Sequence, residues 1–207
     1  MNGTTLRAFV QIDRMQPQYA AYTGATVQGD IPLAGYAQLV AEIAPGNEVF
    51  RIVDAALKAA RVRPSSQIVE REFGFLALHS ADRSEVDLAA QAILDRLGMS
   101  VTDRTKPVVE STQVITGVEP YQAQLLNKWR SGSLVLPGET LFVLEVSPAA
   151  YAAVAANEAE KHATFSLVQV NAVGRFGRVF LSGSEGEVRH AAEVAVAALE
   201  GIEGRSP

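Results

Sequence analysis

Gly35-Tyr-Ala-Gln-Leu-Val-Ala-Glu-Ile-Ala-Pro45 returns later in the chain as Gly138-Glu-Thr-Leu-Phe-Val-Leu-Glu-Val-Ser-Pro148, aligned without a gap. Glycine, valine, glutamate and proline recur at fixed places, and the residues between them are apolar enough for a buried strand. Extending the alignment outward at the same offset of about 103 residues covers the whole chain. Ile12 meets Ile115, Pro17 meets Pro120, Gly29 meets Gly132 and Leu33 meets Leu136. Downstream, Ala56, Lys58 and Ala60 meet Ala159, Lys161 and Ala163, Phe73-Gly74 meets Phe176-Gly177, and Gly98 meets Gly201. The chain is a tandem repeat, and its 207 residues suit two domains of about 100 residues each.

Each half reads as the same succession of elements. A strand (Arg7 to Ile12; Val109 to Ile115) leads to a short helix opening at Pro17 or Pro120, where proline suits the first turn. After a Gly-rich connector, the strand Ala37 to Ile43 or Leu141 to Val146 ends at a proline that opens a long helix. In that helix Val49, Ile52, Val53, Ala56, Leu57 and Ala60 recur at three- and four-residue steps and share a face, while its counterpart, Pro148 to Thr164, is alanine-rich. Strands Gln67 to Arg71 and Phe73 to His79 follow, matched by Val168 to Val173 and Phe176 to Leu181. A closing helix starts after Asp82 or Ser184 as cap and stops at Gly98 or Gly201. The polar run Thr102 to Pro107 is expected to be the linker, with domains at 1–104 and 105–207. The fold class is α+β.

Composition narrows the function. A net charge of −5 leaves no basic surplus for nucleic acid, and the absence of cysteine removes disulfides and thiolate chemistry and fits a reducing cytoplasm. No leader pattern and no apolar run of membrane-spanning length are visible, so neither export nor a membrane partner is expected. His79, His162 and His190 lie on different elements without metal-site spacing, and no histidine-carboxylate pair accompanies the serines of Ser182-Gly183-Ser184. Neither a phosphate loop nor a dinucleotide fingerprint is present. No catalytic residue, metal or cofactor is assigned. The repeat alone also fits a tandem sensor that binds a small effector between its domains.

Several stretches resemble the tandem-domain shell proteins of bacterial microcompartments, in the circularly permuted, double-stacking form. They are Asp54-Ala-Ala-Leu-Lys58, Ile68-Val-Glu70-Arg71-Glu-Phe-Gly74, Gln122-Ala-Gln-Leu-Leu126, Gly138 to Val146, and Pro148-Ala-Ala-Tyr-Ala-Ala with Ala156-Asn-Glu-Ala-Glu-Lys161. The resemblance implies two permuted domains, related to the ferredoxin-like fold, closing as a homotrimer into a pseudohexameric ring around a pore. It further implies stacking of two trimers, tiling with hexameric and pentameric shell proteins, and passive passage of small metabolites. A composition rich in alanine, arginine, valine and glycine leans toward a catabolic compartment over a carboxysome.

By the same resemblance, Glu70 and Arg71 belong to a pore loop. Neighbours in extended chain point to opposite faces, so a small backbone change could exchange an inward arginine for an inward glutamate. In the second half the corresponding loop is Gly174-Arg175-Phe176, with no Glu-Arg pair. The resemblance also makes Asp54, Lys58, Asn157 and Lys161 tile-edge contacts. Trp129, the sole tryptophan, is expected to anchor the second short helix.

Overall fold

The computed structural model describes residues 3–207, which form two compact units. The first holds β1 (Thr5–Ile12), α1 (Pro17–Thr26), β2 (Ala37–Ala44), α2 (Glu48–Ala59), β3 (Arg63–Glu70), β4 (Phe73–Ser80) and α3 (Arg83–Leu97). The second repeats them as β5 (Val108–Ile115), α4 (Pro120–Trp129), β6 (Thr140–Ser147), α5 (Ala152–His162), β7 (Ser166–Asn171), β8 (Gly177–Gly183) and α6 (Glu185–Glu200). Each sheet is antiparallel, in the orders β1-β2-β4-β3 and β5-β6-β8-β7.

Strand alternation divides the first sheet into two faces. Leu39, Ala41, Ile43, Leu76 and Leu78 point to one face, where Val49, Ile52, Val53 and Ala56 of α2 and Val86, Ala89 and Ile93 of α3 close the main core. Gln38, Val40 and Glu42 take the opposite face, with α1 beside it: the buried Tyr19 of α1 reaches Gln38. In the second unit the side of the sheet bearing α4 holds the apolar cluster Val118, Ala123, Val135, Leu141 and Val168.

The shared glycines have separate reasons. Gly35 and Gly138 both have positive φ (88° and 87°), and their N–H groups close the connector onto Met15 and Val118. Gly74 and Gly177 lie against the segments that open α2 and α5. A Cβ there would collide with the Gly46 carbonyl and Val49 in one unit and with the Ala149 carbonyl and Ala152 in the other.

The structure changes several expected boundaries. The helices do not begin at Pro45 and Pro148: α2 starts at Glu48, and a single 3₁₀ turn, Ala149–Tyr151, precedes α5. At α3, Asp82 accepts from the Ser84 N–H at 2.9 Å and Gly98 adopts the left-handed conformation. By contrast Ser184 makes no side-chain cap and Gly201 has φ −72°. The expected linker is held down. Arg104 donates to the carbonyls of Phe9 (2.7 Å) and Glu203 (2.8 Å), and Thr105 bridges Arg205 in parallel fashion. Residues up to Pro107 therefore group with Ile202–Pro207, and Val108–Gly201 forms the second unit.

The repeated glutamate is neutralised differently in each half. Glu42, 2% exposed, accepts from Arg7 Nε at 2.6 Å, and the Arg7 guanidinium lies 3.8 Å from the Phe73 ring centroid. Glu145 pairs with Arg178 of β8, since position 110 of β5 is itself glutamate. Removing one partner of a buried pair strands the other charge. Arg7→Ala should therefore cost about 3 kcal/mol in chemical denaturation, and Arg7→Met with Glu42→Leu should recover most of that loss.

Candidate functional site

The β3-β4 hairpin turns on two residues, since Glu70 pairs with Phe73 in register. Arg71 is the one non-glycine residue with positive φ (53°) among the described residues. It is a turn residue and not extended chain, which corrects the alternation expected for Glu70 and Arg71: the left-handed backbone aims the arginine. Its Nε lies 3.6 Å from Glu70 Oε1, with the side chains 91% and 48% exposed. A pair this solvated contributes less than about 1 kcal/mol and leaves both groups free to move. Beside it, a cleft of about 380 Å³ is lined by Thr5, Pro45, Asn47, Val69, Arg71 and Glu72.

The second hairpin is built otherwise. β7 ends at Asn171 and β8 starts at Gly177, so residues 172–176 form a longer loop and the strand expected to reach Val173 stops short. Gly174 has φ 111°, and the Arg175 guanidinium lies 5.2 Å from the Phe176 ring centroid. The Phe-Gly match between halves fixes the base of both hairpins while their tips diverge.

On α2, Lys58 Nζ meets Asp54 Oδ2 at 2.6 Å one helical turn away, and both are exposed. Their repeat positions on α5 differ. Lys161 meets Glu158 at 2.6 Å, and its side chain is 29% exposed. Asn157 is fully buried, as are the α5 residues before it, so its side chain is withdrawn from the surface where an edge contact was expected. The alanines of α5 admit close approach to α6, β7 and β8.

Sequence reasoning missed a polar group on the α1 side of the first sheet. His79, 1% exposed, places Nε2 3.0 Å from Asp30 Oδ1, and Tyr19 donates to Gln38 Oε1 at 2.9 Å. Burial pushes the Tyr19 phenol up and lowers the His79 imidazole, the latter against an opposing pull from Asp30. It also missed an apolar stripe on α4: Tyr121, Leu125 and Trp129 follow one another at four-residue spacing and are exposed, where α1 has Gln18, Tyr22 and Thr26. Trp129 packs edge-on against Phe180, with centroids 5.2 Å apart, while remaining half exposed. Among the described residues no cluster of metal-ligating side chains occurs and no helix is long and apolar enough to cross a membrane.

A histidine whose folded pKa lies below the ordinary 6.5 binds its proton more readily in the unfolded chain. Stability is thus present above that value and is lost as pH falls below it. Thermal unfolding should show a midpoint dropping between pH 7.5 and 5.5, and His79→Gln should flatten that drop. Asp82 and Asp103, whose pKa values are lowered by hydrogen bonds from Ser84 and Ser100, act only at more acid pH.

Residues 6–103 match the family described as CsoS1D N-terminal domain. The carboxysome shell protein CcmP of Synechococcus elongatus is similar, 48% identical over 98% of this chain and 95% of its own length. The fused permuted hexameric shell protein MSM0275 of the RMM microcompartment superposes with a TM-score of 0.93 at 42% identity, covering 96% of this chain and 100% of that one. The double ringed trimeric shell protein MSM0271 of the same microcompartment gives 0.94 at 37% identity, covering 99% and 100%.

Proposed function

Because the chain belongs to the tandem permuted shell-protein family of CcmP and CsoS1D, we propose that it is a wall subunit of a bacterial microcompartment, three copies closing into a ring of six like units. One observation carries the reading: two units of the same topology, aligned without gaps, match a fused permuted hexameric shell protein over its full length. Near-equivalent units offer near-equivalent edges, and lateral contacts of that kind close as rings. The role is structural, with no catalytic site assigned. Relatives named for carboxysome and for RMM shells both lie above 40% identity, so the catabolic leaning of the composition gains no support from them.

Two trimers stack face to face in this reading. The double ringed relative supports it, as do the exposed Ile31 and Leu33, which recur as Leu134 and Leu136, and the apolar stripe of α4. Sedimentation of the purified protein should give a trimer or a pair of trimers, annular in electron micrographs. A ligand-dependent monomer or dimer would restore the tandem sensor.

At the ring centre, the hairpins bearing Glu70 and Arg71 alternate with those bearing Gly174, Arg175 and Phe176, and small metabolites pass between them. Three like charges gathered on an axis repel. Pairing each arginine with a glutamate at about 4 Å contributes roughly 1 kcal/mol in water and about 4 where solvent is partly excluded, enough to favour one of two loop positions. Arg71→Ala should widen the narrowest point in a crystal structure, and an unchanged constriction removes the gate role.

At the rim, Asp54, Lys58 and Lys161 meet neighbouring hexameric and pentameric shell proteins. Lysine stems can cover apolar surface there while the ammonium finds oxygen partners. Lys58→Ala with Lys161→Ala should leave the trimer intact and reduce co-purification with assembled shells at least tenfold. Undiminished incorporation removes the edge role.

A further inference from the structure

We infer that Gln38 and His79 together form an internal binding site for a single water molecule, present in the first unit and not in the second. The two residues are cross-strand partners in the β2-β4 ladder, so their side chains leave the sheet on the same face, side by side. Both are almost wholly buried, at 0% and 1% exposure. Gln38 Nε2 and His79 Nδ1 are without hydrogen-bond partners among the described residues.

The surrounding bonds fix what each orphan atom offers. Tyr19 donates to Gln38 Oε1, which sets the amide so that Nε2, a donor, is the free end. His79 Nε2 faces Asp30 Oδ1 at 3.0 Å. A carboxylate only accepts, so the ring proton sits on Nε2 and Nδ1 is left with a lone pair. One free donor and one free acceptor are therefore carried by paired positions on one face of the sheet. The complementary guest is neutral and small and both accepts and donates, which is water. An anion would meet the Nδ1 lone pair, and a cation would meet the amide N–H groups.

This polarity is not a demand of the fold. The positions of Gln38 and His79 are taken by Leu141 and Ser182 in the second unit, which has the same strand order. There Leu141 joins an apolar cluster, and Ser182 Oγ donates to Glu139 at 2.6 Å. The second unit thus leaves neither position with an unmet polar atom that water would serve.

A high-resolution crystal structure of the assembled protein tests the inference. The expected result is a water within hydrogen-bond distance of both atoms in every copy, with none beside Leu141. In ¹⁵N-histidine-labelled protein, His79 should carry its proton on Nε2 and show a hydrogen-bonded Nδ1. Gln38→Leu, which supplies the second unit's residue, should abolish the water and keep the His79–Asp30 contact. A direct Gln38 Nε2 to His79 Nδ1 bond, an empty site, or a proton on Nδ1 would each overturn the inference. The wild-type measurements decide it even where the variant does not fold.

Discussion

Between β4 and the start of α2, and again between β8 and the start of α5, there is no room for a single methyl group. Gly74 and Gly177 bring strand and helix start together at backbone distance, and each sits directly beyond a hairpin tip. The sheet, the helix on its covered face and the projecting loop are thereby tied at one point. Whatever the loops do, they do it from a fixed base.

On that common frame the two halves have diverged in how they satisfy polar groups. A glutamate at the same place in β2 and β6 finds its cation on a different strand in each half. The layer beside the short helix is polar and hydrogen-bonded in the first unit and apolar in the second. One hairpin turns on two residues, with an arginine in left-handed backbone, while the other spreads its turn over a longer glycine-containing loop. Left-handed arginine is uncommon, because its Cβ crowds the backbone. The two halves keep one strand order and differ at the hairpin tips.

The element order, the pairing of halves and the glycines were legible in the sequence because periodicity and steric exclusion are local properties. The strands about Val40 and Val143 and the proline-opened short helices all appear where apolar runs and helix-start chemistry place them. What escaped was tertiary. Nothing in Arg71 itself announces positive φ, and the burial of Asn157 depends on what packs around α5. Thr102 to Pro107 has the composition of a free linker, yet Arg104 finds carbonyls on two other segments. Gln38 lies in a mostly apolar run, and its partner His79 is far away in sequence, so the polar site emerges only when β2 and β4 are laid side by side.

The return of Ile202–Pro207 to the first unit has a consequence for biosynthesis. Ribosomes deliver the chain in order, so the first sheet and its two covering helices can condense while the second half is still being made. The short parallel bridge from Thr105 to Arg205 must wait until all of Val108–Gly201 has emerged. The unit that can collapse first is thus the last to be completed, because it draws its closing bridge from Ile202–Pro207.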